Sequence, residues 1–234
     1  MTRRRMCWLA IGVALAVVVA VQVGTDPSPP QMLAQAQPPT VAPGLDPLDG
    51  LAVIPARVRG HDYRRAAFGD AWDDDTAAPG GRNGCDTRND ILDRDLVDKT
   101  FVEISSCPTA VATGTLHDPY SNAVVSLVRG AGTGAAVQID HIVPLAYAWD
   151  MGARAWPGHL RMRFANDPAN LLAVEGNVNQ DKGDQPPAHW MPPNRAFHCQ
   201  YAMQFIAVLK GYSLPVDAPS VPVLREAVAT CPAG

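Results

Sequence analysis

The stretch that decides the fold is Ile139-Asp140-His141-Ile142-Val143-Pro144-Leu145, where an acid and a histidine stand together among apolar residues. Burying both groups without partners would cost several kcal/mol, so the fold must provide partners. The β-branched run predicts a strand over 137–143, which Pro144 ends. Taken alone, the pair also fits a structural role, in which Asp140 caps a turn and His141 bonds to the backbone.

Further polar residues follow this strand along the chain. Asn170 comes 29 residues after His141, and Asn179 lies nine residues beyond Asn170 and three before Lys182. Carboxylate and amide oxygens suit Mg²⁺ or Mn²⁺ that keeps several waters. A neutral histidine takes a proton from water near pH 7. Together with Asp140, these residues have the composition of a site that hydrolyses phosphodiesters.

This order of residues resembles the HNH endonucleases of the ββα-metal fold, and more specifically the GmrSD-type carboxy-terminal HNH domain with its secreted single-domain relatives. Other stretches over 63–212 look like that group: Tyr63-Arg64-Arg65, Phe68-Gly69-Asp70-Ala71-Trp72, Gly84-Cys85-Asp86-Thr87-Arg88-Asn89, Asp118-Pro119-Tyr120 and Trp190-Met191-Pro192-Pro193-Asn194. The resemblance implies a ββα-metal (HNH) core embedded in a larger, disulfide-containing single domain of the α+β class.

The resemblance also implies a role for each site residue. Asp140 and Asn179 would hold the metal, and His141 would be the general base. Asn170 would pin the loop that orients the base. The last motif position is Asn179 where the family name expects a histidine. Because a neutral amide binds metals weakly, we expect Mg²⁺ or Mn²⁺ and not zinc.

Basic and aromatic side chains near these motifs have competing interpretations. Lys182 and Arg88 are the predicted substrate-phosphate contacts; the alternatives are a solvated helix residue for Lys182 and a structural ion pair for Arg88. Arg64 and Arg65 are expected to be exposed helix charges. Trp72 is expected in the core or at its rim.

Four cysteines lie outside the apolar amino-terminal stretch, namely Cys85, Cys107, Cys199 and Cys231. Four cysteines allow three pairings, and buried free thiols are the alternative to any of them. The shortest loops favour Cys85–Cys107 and Cys199–Cys231, each worth roughly 3 kcal/mol in the chain-entropy model.

Composition divides the chain into three segments. Residues 1–23 carry three arginines and then 16 mostly apolar residues, which predicts a signal peptide or an uncleaved amino-terminal anchor. Cleavage after Ala20 and cleavage at 34–36 both stay open. Residues 24–50 are a proline-rich linker, and 51–234 are the HNH endonuclease domain. The body is therefore expected outside the cell, secreted or tethered by its first segment.

The net charge of −4 predicts no long-range attraction for nucleic acid. Losing the three arginines of 1–23, which contain no acid, would leave about −7 by the same count. A local basic cleft must then hold the substrate. We predict an exported metal-dependent endonuclease acting on nucleic acid, DNA first, with no membrane contact beyond the first segment and with an oligomeric state that the sequence does not fix. The alternative is a non-catalytic exported binding or envelope-associated module that retains the HNH scaffold.

Hydrophobic periodicity and turn residues predict helices and strands without a βαβ rhythm, which favours the α+β class. The predicted helices are 63–72, 87–96 (with Thr87 starting a capping box), 145–151, 177–182 and 197–210. The predicted strands are 101–104, 110–116, 124–129, 137–143 and 170–174, with a hairpin turn at 118–122.

Overall fold

A computed structural model describes residues 39–42, 44–130 and 134–233. The predicted signal or anchor segment 1–23 lies outside these ranges, as does most of the predicted linker. Within them, no helix combines the length and the apolar character needed to cross a membrane. The domain boundary at residue 51 stays a prediction. Ahead of it, Val41 pairs with Ala233 and Leu48 is buried in the core.

Helices and strands are mixed without regular alternation in the described ranges, and the predicted α+β class is confirmed. Their order is β1 (Val53–Ile54), α1 (Thr87–Asp95), β2 (Val97–Ile104), β3 (Cys107–His117), β4 (Val124–Val128), β5 (Val137–His141), α2 (Leu145–Asp150), α3 (Gly158–Ala165), β6 (Leu171–Glu175), α4 (Gly176–Lys182), α5 (His198–Gly211), β7 (Val216–Asp217) and α6 (Ser220–Val228). Strands β2, β3 and β4 form an antiparallel sheet, and β1 and β7 a short parallel pair. Strands β5 and β6 form an antiparallel pair, called the β5–β6 hairpin below, although their connection is long and contains α2 and α3.

The β5–β6 hairpin and α4 form the ββα unit that the motif order predicts. Val137 lies opposite Glu175 and His141 opposite Leu171, and α4 follows β6 directly. A side chain at Gly176 would collide with the carbonyl oxygen of Ala135, so this first helical position needs glycine. The turn before β4 also holds the junction between β6 and α4, because Asp118 Oδ1 accepts the Glu175 N–H at 3.0 Å.

The start of α1 differs from the predicted capping box. Asp86 is the cap, since its Oδ1 accepts the N–H of Asn89 at 2.9 Å, and Thr87 is already inside the helix. The residue before the cap is Cys85, which forms a disulfide with Cys107. The structure also joins Cys199 to Cys231. These are the two pairings that the short loops favoured.

The predicted helix over 63–72 is wrong for most of its length. Only Arg65–Phe68 is helical, as one 3-10 turn, and Gly69 ends it with φ of +89°. Trp72 then takes a φ of +62°, which few residues other than glycine adopt. The apolar spacing reflects a single buried anchor, Phe68, and not a helix face. Helices α3 and α6 are absent from the predicted elements.

Two apolar cores enclose the hairpin. The larger core is built around α2, α5 and α6 and includes Val174 of β6. The smaller one lies between α1, the three-stranded sheet and the other face of the hairpin, with Val137, Ile139 and Leu171 among its members. Because both faces of the hairpin are covered, Asp140 and His141 are buried and must find partners inside the protein.

Candidate active site

His141 is the last residue of β5 and is only 7% exposed. Its Nε2 lies 2.8 Å from the carbonyl oxygen of Ala165. Since a carbonyl only accepts, Nε2 carries the proton of the neutral ring and Nδ1 holds the free lone pair. The indole of Trp72 stacks on the imidazole, with 5.7 Å between ring centroids and 10° between planes. The ring is therefore fixed in both tautomer and orientation.

Burial is the main cause that lowers the pKa of His141, to about 4. The hydrogen bond to Ala165 acts in the opposite direction, and the positive charge of Arg65 adds to the lowering. The ring is thus neutral at physiological pH. A neutral imidazole with a free Nδ1 is the form that accepts a proton.

Asn170 fixes the chain immediately after His141. It is fully buried, its Oδ1 accepts the Val143 N–H at 2.8 Å, and its Nδ2 donates to the Val143 carbonyl at 3.2 Å. Its own carbonyl accepts the Ile142 N–H at 2.8 Å. These three bonds hold the two residues that follow the imidazole, as expected for a side chain that pins this loop.

Asp140 is engaged on both of its carboxylate oxygens. Lys182 Nζ donates to Oδ1 at 2.8 Å and to Oδ2 at 2.6 Å, and the Tyr120 hydroxyl donates to Oδ2 at 2.6 Å. The same ammonium also donates to the His141 carbonyl at 2.8 Å. Lys182 is 0% exposed, so the interpretation as a solvated helix residue is wrong, and the structure does not place it at a surface.

Burial shifts the pKa values around this ion pair. It lowers the pKa of Lys182, while the charge of Asp140 acts against that effect. It raises the pKa of Tyr120 well above the usual value, and Asp140 adds to the rise. Tyr120 therefore stays protonated and donates its hydrogen bond.

Asp140 and His141 face opposite sides of β5, as successive strand residues do. Asp140 points toward α4, where Asn179 Nδ2 donates to Gln138 Oε1 at 2.9 Å. His141 points toward Trp72 and Ala165 on the other side. The structure brings Asp140, Asn179 and Lys182 to one face of the hairpin, and no hydrogen bond joins the Asp140 carboxylate to the His141 ring. In the described ranges, no three side chains of His, Cys, Asp or Glu form a metal-binding group.

Arg88 lies away from His141. Its Nη2 donates to the carbonyls of Val137 at 3.0 Å and Gly134 at 3.2 Å. It lines a separate cavity of 130 Å³ together with Arg129. Burial lowers the pKa of Arg88, and the charge of Arg129 adds to this. Across the described ranges no carboxylate lies within ion-pair distance of Arg88, so the alternative of a structural ion pair is not found.

His141 opens instead onto a cleft of 270 Å³ whose opposite wall is the chain from Arg65 to Trp72. The cleft is lined by Arg65, Ala66, Phe68, Gly69, Asp70, Ala71, Trp72, His141, Leu145 and Ala165. Arg65 and Trp72 are the two members that sequence reasoning assigned elsewhere, to an exposed helix and to the core or its rim. Both residues lie in stretches that resemble the family, Tyr63-Arg64-Arg65 and Phe68-Gly69-Asp70-Ala71-Trp72, and this resemblance was the sequence signal that could have placed them at the site.

A family model described as GmrSD restriction endonucleases, C-terminal domain, matches residues 86–218. The chain belongs to this family. The GmrSD match begins at the cap of α1 and ends just after β7, so it contains Asp140, His141, Asn170 and Asn179. The cleft wall formed by 65–72 lies ahead of the GmrSD match.

An uncharacterized secreted protein from Arthroderma benhamiae is similar to this GmrSD-family chain, with 39% identity over 150 residues. The aligned part is 63% of this chain and 68% of the relative. No solved structure matches the chain. The GmrSD family suggests nuclease activity, and the two disulfides fit a protein that works outside the cell.

Proposed function

We propose that this protein is an exported, metal-dependent endonuclease that hydrolyses phosphodiester bonds of DNA with His141 as the general base. The proposal depends chiefly on one observation. His141 Nε2 is bonded to the Ala165 carbonyl, which leaves Nδ1 as the free base of a neutral ring that lines an open cleft. Membership of the GmrSD family supports the reaction class.

Asp140 and Asn179 supply the oxygen atoms that a hard divalent cation prefers. Such an ion keeps several waters and takes one or two protein oxygens, which Asp140 and Asn179 provide. Because Asn179 Nδ2 is bonded to Gln138, its Oδ1 is left as the ligand atom. The Lys182 ammonium is held by three oxygens of Asp140 and His141, which supports a position that favours positive charge. Asp140 and Asn179 thus offer oxygen ligands of the kind that Mg²⁺ or Mn²⁺ takes, and in this structure Lys182 is bonded to both oxygens of the Asp140 carboxylate.

His141 Nδ1 takes a proton from a water molecule in the cleft, and the water oxygen attacks phosphorus in line with the leaving oxygen. The new P–O bond forms as the ester P–O bond breaks, and the leaving oxygen takes a proton from solvent. Trp72 and the Ala165 carbonyl hold the ring so that Nδ1 keeps its lone pair. Asp140 and Asn179 would hold a divalent cation, which would stabilise the negative charge on the phosphate and the leaving oxygen. Because Asp140 and His141 face opposite sides of β5, this requires a substrate that reaches both sides at the end of the strand.

Nicking of supercoiled plasmid by the oxidised protein tests the proposal, with EDTA, Mg²⁺ or Mn²⁺ added in parallel. His141→Ala removes the base, and His159→Ala is the matched control because His159 is an exposed histidine of α3. We expect nicking to need the metal, to fall by about a hundredfold or more in His141→Ala, and to persist in His159→Ala. Metal-dependent nicking that survives in a pure His141→Ala preparation would refute the proposed base.

One observation favours a second function, that of a non-catalytic exported binding module. Both oxygens of Asp140 are already satisfied by Lys182 and Tyr120, as in a structural ion pair. In that case Mg²⁺ and Mn²⁺ would leave the melting temperature unchanged, and neither DNA nor RNA would be cut by the folded wild-type protein.

A further inference from the structure

The two side chains that the sequence predicts to bind phosphate, Lys182 and Arg88, make their hydrogen bonds within the protein. The Lys182 ammonium makes its three hydrogen bonds to Asp140 and to the His141 carbonyl, and it is completely buried. Arg88 is bonded to two backbone carbonyls at a different cavity. Neither lines the cleft at His141. The proposed reaction therefore lacks a basic side chain for its substrate phosphate unless another residue provides it.

Arg65 is the basic residue of that cleft. It opens the 3-10 turn Arg65–Phe68, and its side chain is exposed beside His141. In the part of the chain that the structure describes, no carboxylate lies within 4.0 Å of its guanidinium, although the exposed Asp70 lines the same cleft. Its charge is close enough to be felt at the His141 ring.

The backbone that carries Arg65 is anchored. Phe68 is 1% exposed and packs in the larger core, and Arg161 Nε donates to the Ala67 carbonyl at 2.7 Å. A cation on a fixed turn loses little backbone freedom when it binds a ligand. The backbone at Arg65 is thus fixed before a ligand binds, whereas the exposed Arg65 side chain stays free to contact that ligand.

The cleft suits an anion that presents two oxygen acceptors side by side. Its other walls are mostly apolar, from Ala66, Phe68, Trp72 and Leu145, and a charge-assisted hydrogen bond is stronger in such surroundings than in open water. A guanidinium offers two parallel N–H donors that match two oxygens of a phosphodiester. Because the whole chain is acidic, a local cation of this kind is needed to hold a polyanion.

We propose that Arg65 is the substrate-phosphate residue of this protein and holds two non-bridging oxygens of a nucleic-acid phosphodiester in the cleft opposite His141. This inference rests on the proposed nuclease function and names the group that recognises its substrate. Arg65 lies outside the residues matched by the family model, so the contact belongs to the segment that precedes the ββα core.

Arg65→Gln removes the charge, and Arg65→Lys keeps the charge but loses the paired donors. The matched control is Arg64→Gln, since Arg64 is the neighbouring exposed arginine and does not line the cleft. All three are made in the His141→Ala background, and binding of a labelled DNA oligonucleotide is measured in EDTA at several salt concentrations. Thermal unfolding confirms that each variant folds.

Arg65→Gln is expected to weaken binding by roughly tenfold to a hundredfold and to reduce the salt slope by about one. Arg65→Lys should keep most of the salt slope while losing part of the affinity. Arg64→Gln should change the affinity by less than about twofold. In the otherwise wild-type protein, Arg65→Gln should lower kcat/KM for plasmid nicking by a similar factor.

Equal behaviour of Arg65→Gln and Arg64→Gln, in a protein that cuts DNA through His141, would overturn the Arg65 assignment and leave the nuclease function standing. A folded wild-type protein that neither binds nor cuts DNA or RNA would overturn both. The two failures are therefore distinguishable.

Discussion

His141 shows how one buried side chain links the chemistry of the site to the stability of the protein. Its pKa is about 4 in the folded protein, mainly because of burial, and 6.5 is the ordinary value. Between these two pH values, the unfolded chain binds more protons at this residue than the folded protein does. The free energy of unfolding must therefore fall as the pH is lowered through this window.

Lowering the pH from about 7.5 to about 5 should cost the wild-type protein about 2 kcal/mol through His141 alone. Urea unfolding in EDTA at both pH values measures this. His141→Ala should lose that part of the pH dependence, whereas His159→Ala should keep it. Equal pH dependence in all three proteins would contradict a buried, neutral imidazole at position 141.

Asn170 and Trp72 are the residues that keep this imidazole usable. Asn170 ties down Val143 with both ends of its amide, and Trp72 covers one face of the ring from a strained backbone position. Backbone strain of this kind persists only where the surrounding structure enforces it. Trp72 thus fixes the orientation of the ring at a cost in backbone strain, and Asn170 fixes the chain that follows it.

Among the elements, α4 is held to β5 by the ion pair between Lys182 and Asp140. Removing one partner of a buried pair leaves the other charge without compensation, which is costly. The two side chains are 0% and 6% exposed, whereas in the ion pair of Lys99 with Asp93 the side chains are 20% and 56% exposed.

Lys182→Met should lower the free energy of unfolding by about 3–5 kcal/mol, because Asp140 is then buried and unpaired. Lys182→Met combined with Asp140→Asn should recover part of this loss, since no charge remains and the new amide oxygen still accepts from Tyr120. Lys99→Met should cost less than about 1 kcal/mol. Denaturant unfolding of the four proteins checks this; equal costs at Lys182 and Lys99 would mean that the buried pair does not form.

The ββα unit could be predicted from sequence because its signals are local. A strand stopped by Pro144, a second strand opened by Asn170 and a helix over 177–182 each follow from a few neighbouring residues, and the structure differs from them by one or two residues at the ends. The disulfide pairing was favoured for the same reason, since both loops are short.

The partners of the site residues could not be predicted because they come from distant parts of the chain. Lys182 meets Asp140 across 42 residues, and nothing local distinguishes a buried lysine from a solvated one in the same helix. Trp72 reaches His141 only because Gly69 breaks the apparent helix over 63–72 and the chain turns at a positive φ. The apolar residues around Phe68 have the spacing of a helix, so the sequence pattern did not indicate the break at Gly69.

For the whole molecule, the acidic net charge and the small number of cations at the cleft set the salt dependence of binding. Each phosphate contact releases about one counterion from DNA. Arg65 is the basic residue lining the cleft, so few contacts are expected. The field of the protein as a whole adds no attraction, since the chain carries a net charge of −4.

Raising the salt from about 50 to about 200 mM should weaken DNA binding only about threefold to tenfold, far less than for a protein with many phosphate contacts. Fluorescence anisotropy in the His141→Ala protein measures this. A loss of about a thousandfold or more over the same range would indicate many more phosphate contacts than Arg65 alone can supply.

The pairing of Val41 with Ala233 has a consequence for the shape of the backbone. Val41 N–H donates to the Pro232 carbonyl at 3.2 Å, so the first and last parts of the described chain lie side by side. Within the described residues, the backbone of 41–233 thus ends beside the point where it begins. A peptide of a few residues would complete the circle, and a circularly permuted chain with new ends in an exposed turn would keep the order of contacts around His141.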